Sequence, residues 1–76
     1  MIVNITLKNG IKDKYIVDNL DAGKAIIESY AKQHNFDCRF AEDFITIASR
    51  GPGKLLALAQ YNVDLHVVGR ACIWSK

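Results

Sequence analysis

Arg50-Gly51-Pro52-Gly53-Lys54 comes nearest to a binding motif in this chain. The segment stands between a strand-like run and an expected helix start. Backbone N–H groups at a helix N-terminus attract anions, and paired glycines let a ligand approach the backbone closely. Arg50 and Lys54 would add positive charge. A nucleotide phosphate loop needs Gly, four spacers, then Gly-Lys and a hydroxyl residue. Here Leu55 follows Lys54 and the spacing differs. The segment therefore reads as a Pro-Gly turn leading into a helix, with anion contact as its alternative use.

The chain has two histidines and two cysteines, His34, Cys38, His66 and Cys72. A structural zinc site needs four such ligands to converge. On a straight strand His66 and Cys72 would stand ~20 Å apart, and the close-spaced ligand pairs of ordinary zinc sites are missing. Cys38 and Cys72 read instead as small buried apolar residues, and His34 as a helix-end histidine. Glu42 and Asp43 are adjacent carboxylates in an expected turn. No apolar pocket flanks them to drive their proton affinities apart. A cysteine–histidine pair lacks any nucleophile signature around it. No catalytic residue, metal or cofactor is assigned, no small-molecule substrate is expected, and the expectation is a protein that is not an enzyme.

At 76 residues the chain is expected to form one domain, residues 1–76, with a core small enough that a staple or partner matters. Half of it is hydrophobic, which argues against disorder. The net charge of +2 sits close to balance, whereas strong nucleic-acid binders lie further from neutral. No apolar run approaches the ~20 residues of a membrane span, and the first residues lack the basic region of a signal peptide. These features point to a cytoplasmic protein with reduced cysteines.

The elements that must position these side chains follow from periodicity. Val3, Ile5 and Leu7 alternate with Asn4, Thr6 and Lys8, as in a half-buried strand. Asn9-Gly10 is a strong hairpin signal. A two-residue turn would mix lysines with core residues. A bulged three-residue turn near Asn9 to Ile11 is preferred, pairing Ile5 with Tyr15 and Val3 with Val17. Asp18 or Asp21 is expected to cap a helix whose inner face carries Gly23, Ile26, Ile27, Tyr30 and His34. Strands are then expected at Cys38 to Ala41 and Phe44 to Ser49. A second helix is expected from Gly53 to Tyr61, its outer face of Ala57, Gln60 and Tyr61 free of charge. A last strand from Leu65 to Trp74 is interrupted at Gly69, a bulge or a close approach. Asn35 and Asn62, each followed by an apolar residue, would end the two helices alike. The chain thus reads as one unit written twice. The expected fold is α+β, a two-layer sandwich of order ββαββαβ, with an antiparallel sheet of four or five strands and two helices on one face.

That architecture leaves a sheet face without helices. Ile2 and Ile16 would lie on it, with Val68, Arg70, Cys72 and Trp74 of the last strand. Trp, Tyr and Arg are enriched at interface hot spots, and an uncovered apolar face usually meets something. The expected function is a small non-enzymatic interaction module of regulator or inhibitor type. It would dock on a protein partner, or on itself as a homodimer, through Ile16, Tyr61, Val68, Arg70 and Trp74. The alternative is a nucleic-acid binder using Lys12, Lys14, Arg39, Arg50 and Lys54, where phosphate contacts make binding salt-sensitive.

Overall fold

The computed structural model describes residues 1–41 and 55–75. The expected turn at Glu42-Asp43, the expected strand Phe44 to Ser49 and the Arg50 to Lys54 loop lie outside the described residues.

Alternation drives the chain into strands β1 (Ile2–Leu7) and β2 (Lys12–Ile16), followed by helix α1 (Leu20–His34). Strands β3 (Asp37–Phe40), β4 (Leu55–Val63) and β5 (His66–Trp74) complete the described elements. The strands form one five-stranded sheet in the order β2-β1-β5-β4-β3. Every neighbouring pair is antiparallel. The fold is α+β, and α1 is the one helix among the described residues. It lies on one face of the sheet, against β1, β3, β4 and β5.

The hairpin of β1 and β2 keeps the expected face and shifts the expected register. Ile5 pairs with Asp13 and Val3 with Tyr15, two residues from the expected partners. The loop is Lys8, Asn9 and Gly10, closed by Leu7 N–H to the Ile11 carbonyl at 2.8 Å and Gly10 N–H to the Leu7 carbonyl at 3.0 Å. Asn9 Oδ1 accepts from Ile11 N–H at 3.1 Å, and Gly10 takes a φ of 96°, which favours glycine. A two-residue slip preserves side-chain parity, so Val3, Ile5 and Leu7 still face the helix and are buried. Asp13 shares that face, and Tyr30 donates its hydroxyl hydrogen to Asp13 Oδ2 at 2.9 Å.

The first cap is Asn19, not Asp18 or Asp21. Its side chain accepts from Ala22 N–H at 2.8 Å. The C-terminal stop is as expected. Asn35 adopts the left-handed region at φ 56°, and Phe36 N–H returns to the Ala31 carbonyl at 2.8 Å. Gly23, Ile27 and Tyr30 are buried together with Ala31, while His34 is exposed. A Cβ on Gly23 would stand 2.8 Å from Ile73 Cδ1 and 3.2 Å from Val3 Cγ2, so the glycine lets α1 sit directly on the sheet.

The second expected helix is overturned. Leu55–Val63 is strand β4, set between β3 and β5. Leu55, Ala57, Ala59 and Tyr61 are buried, alternating with Leu56, Leu58 and Gln60. Leu and Ala favour helix intrinsically, but a central strand with partners on both sides overrides that preference. Asn62 is accordingly a strand residue and not a helix stop. Among the described residues the order is ββαβββ, and the expected repetition of a helical unit fails. Gly69 does mark a close approach, since a Cβ there would meet Leu7 Cδ2 at 2.5 Å and the Thr6 carbonyl oxygen at 2.8 Å.

Candidate docking face

The register decides what the open face of the sheet carries. Residues directly opposite one another on antiparallel strands share a face. On β1 the residues turned away from α1 are Ile2, Asn4 and Thr6. Thr6 pairs with Lys12 on one side and Arg70 on the other. Arg70 pairs with Gln60, and Gln60 with Arg39. One row therefore crosses all five strands on the open face: Lys12, Thr6, Arg70, Gln60, Arg39. Lys14 stands one row away, opposite Asn4, and Asn4 opposite Cys72. A parallel row begins at Ile16, continues through Ile2 and ends at Trp74.

The acidic side chains are distributed differently. Asp13 turns toward α1, and Asp21 and Glu28 stand on the helix itself. Among the described strand residues of the open face, Asp37 at the start of β3 is the one carboxylate. Grooves border the cationic row. One of about 570 Å³ is lined by Arg39 and Gln60, one of about 180 Å³ by Gln60 and Arg70, and one of about 340 Å³ by Thr6 and Arg70.

Three of the residues expected to meet a protein partner, Ile16, Arg70 and Trp74, are on this face, whereas Val68, at the register shift between Tyr61 and Asn62, packs against the hydrophobic core and is a correction. Ile16 is 77% exposed. Arg70 is exposed, and Val68 and Trp74 are half-buried. The Trp74 indole N–H points to Cys72 Sγ at 3.1 Å, which holds the ring along β5. Tyr61 is a correction. It is 0% exposed, and its hydroxyl donates to the Ile27 carbonyl at 2.8 Å beneath α1. Tyr30 stacks on it with ring centroids 5.8 Å apart, and Phe36 packs tilted against it at 5.6 Å. The expectation of exposure rested on a helix that is a strand. Of the basic residues in the nucleic-acid alternative, Lys12, Lys14 and Arg39 share the open face, while Arg50 and Lys54 lie outside the described residues.

The hairpin tip between β4 and β5 corrects the expectation that Leu65 opens the last strand on one side with Val67, Ala71 and Ile73, since β5 starts at His66. Asp64 and Leu65 both take positive φ, 49° and 68°. Such a pair forms the two-residue turn that matches strand twist, and it suits Asn-Gly far better than Leu. Leu65 is nevertheless there, and it is 98% exposed. Its signal in the sequence is Asp-Leu where a turn wants Asp-Gly.

The cysteines and histidines do not converge on the open face. Cys38 pairs with Tyr61 on the helix side, and Cys72 is on the opposite side. Burial pushes both thiols above their usual range. Glu28 adds to the effect at Cys38, and the Trp74 N–H opposes it at Cys72. His34 stacks on Tyr30 at 4.4 Å and on Phe36 at 5.3 Å. Among the described residues no three or more His, Cys, Asp or Glu gather where they could hold a metal ion. No helix among them is long and apolar enough to cross a membrane. No family model, no curated protein and no solved structure matches the chain.

Proposed function

We propose that the protein is a non-enzymatic interaction module that docks its open sheet face on another protein. The observation that carries this reading is the pair of parallel rows on that face. Ile16, Ile2 and Trp74 supply an apolar flank, and Lys12, Arg70 and Arg39 supply charge beside it. Apolar anchors bordered by charged groups are the anatomy of a protein interface. Leu65 supports the reading from the other end of β5. An exposed Leu held at positive φ weakens the turn, and strain of this kind persists where function requires it.

The test is affinity capture from source cells combined with sedimentation at high concentration. A defined partner, or a dimer, is expected with the natural chain and is expected to be lost with Ile16→Asp and with Trp74→Ala. A monomer that retains no partner, or one whose partner ignores both substitutions, would refute the reading.

A second reading, nucleic-acid binding, draws support from Lys12, Lys14 and Arg39 sharing one face with Arg70. Its signature is an affinity for DNA or RNA that falls steeply with salt. Absence of binding at low salt would end it.

A further inference from the structure

The docking reading leaves the partner's chemistry open. Building on it, we infer that the open face receives an acidic amphipathic helix of a protein partner, laid across the strands.

Spacing carries the inference. Lys12, Arg70 and Arg39 stand on β2, β5 and β3, alternating with Thr6 on β1 and Gln60 on β4. Neighbouring strands are ~4.8 Å apart, so successive cations are roughly 10 Å apart. Residues seven apart on an α-helix rise ~10.5 Å and drift by only ~20° around the axis. Carboxylates at every seventh position of a helix would therefore meet the cations in turn. The grooves lined by Thr6, Arg70 and Gln60 would take the side chains between them.

The apolar row completes the match. Trp74 follows Arg70 by four residues on β5, which is ~13 Å along the strand. A helix with its side chains is ~10–12 Å across. Lying between the rows, it would turn an acidic stripe toward Arg70 and an apolar stripe toward Trp74, Ile2 and Ile16.

Other occupants fit less well. Sheet faces that bind single-stranded nucleic acid stack bases on aromatic rings. The middle of this face holds Asn4, Cys72, Thr6 and Arg70 instead, and among its described strand residues Trp74 is the one aromatic ring, too few for successive bases to stack on. Addition of a strand at the β2 edge meets Lys12 and Lys14, which discourage edge pairing.

The test is a binding titration with a designed helical peptide of ~20 residues, Glu at every seventh position and Leu on the adjoining stripe. Its Gln counterpart and an oligo(dT) of similar length are the comparison probes. The acidic peptide is expected to bind, and to weaken as salt rises. The Gln peptide and the Lys12→Glu plus Arg70→Glu variant are each expected to lose about tenfold or more. Lys32→Glu, on the helix away from the sheet, should change nothing. Both variants alter exposed side chains, and circular dichroism confirms that each is folded. Failure of the acidic peptide to bind, equal binding of the Gln peptide, or preferential binding of oligo(dT) would each overturn the inference. The charge-reversed variant also separates the two readings. If it still captures a cellular partner that Ile16→Asp loses, docking stands and the acidic chemistry falls.

Discussion

Tyr61 occupies the most consequential position for stability. Its ring fills the space beneath α1, and its hydroxyl satisfies the Ile27 carbonyl at 2.8 Å. Tyr61→Phe keeps the ring and removes that bond, so a loss of about 1 kcal/mol at neutral pH is expected in urea unfolding. Burial, with smaller contributions from Cys38, Tyr30 and Tyr15, drives the Tyr61 phenol well above its ordinary range. Tyr30 is raised too, by burial first and then by its bond to Asp13. A raised value means the fold favours the protonated phenol. That stability is fully present below pH ~10, where the unfolded chain keeps its phenolic protons, and is lost as pH rises above it. The raised thiols of Cys38 and Cys72 begin the same decline from pH ~8.5. Tyr61→Phe should therefore flatten the fall in stability above pH ~10 while leaving the earlier decline unchanged. An unaltered slope in urea titrations across that range would contradict the assignment.

Leu65 gives a second prediction at this scale, with a sign that separates fold from function. Leu65→Gly removes the penalty of positive φ at the β4–β5 tip, and stability should rise by about 1 kcal/mol. If Leu65 meets a partner, the more stable variant should bind it less well, a trade-off seen where strain serves function. A gain in melting temperature with undiminished partner binding would reduce Leu65 to a poor turn residue.

At the scale of elements, the caps and close approaches set what each segment tolerates. Asn19→Ala removes the acceptor for Ala22 N–H and should cost about 1 kcal/mol. Asn35→Gly keeps the left-handed stop and should be nearly neutral. Gly69→Val drives side-chain atoms into Leu7 and the Thr6 carbonyl, where a Cβ alone already overlaps. It should cost 1 kcal/mol or more, roughly the penalty of overpacking a core, and loosen the contact between β1 and β5. Thermal unfolding of these variants checks the order: Asn35→Gly highest, Gly69→Val among the lowest.

The elements also differ in how clearly the sequence displays them. β1 was legible because Val3, Ile5 and Leu7 alternate with polar residues, which only a half-buried strand explains. α1 was legible because Gly23, Ile27 and Tyr30 recur at helical spacing and Asn35-Phe36 is an αL stop. β4 was not. Leu55-Leu56-Ala57-Leu58-Ala59 has helix-forming residues and an apolar arc, and it lacks the β-branched residues that mark strands. The clue was that the supposed outer helix face, Ala57, Gln60 and Tyr61, carried no charge. An uncharged run suits a strand paired on both sides better than a helix meeting water.

For the whole molecule, the described residues gather cations on one sheet face. Lys12, Lys14, Arg39 and Arg70 share the open face, while the helix side carries both signs, Asp13, Asp21 and Glu28 with Lys24 and Lys32. A net charge of +2 hides this clustering. The open face was foreseen through Ile16, Arg70 and Trp74. Its cationic row was not, because a row across five strands exists only once their order and register are known. Partner binding through this face should weaken with added salt and lose most affinity on charge reversal at Arg70, the row's middle member.

Alternation and caps belong to neighbouring residues, so the chain alone determined β1, β2 and α1 and the absence of a phosphate-loop signature. Tertiary structure decided the rest. It made Leu55 to Val63 a strand, because β3 and β5 offer hydrogen bonds that local helix preference cannot match. It buried Tyr61 for the same reason. It also brought Lys12, Arg70 and Arg39 into line, since cross-strand register depends on partners far apart in the chain.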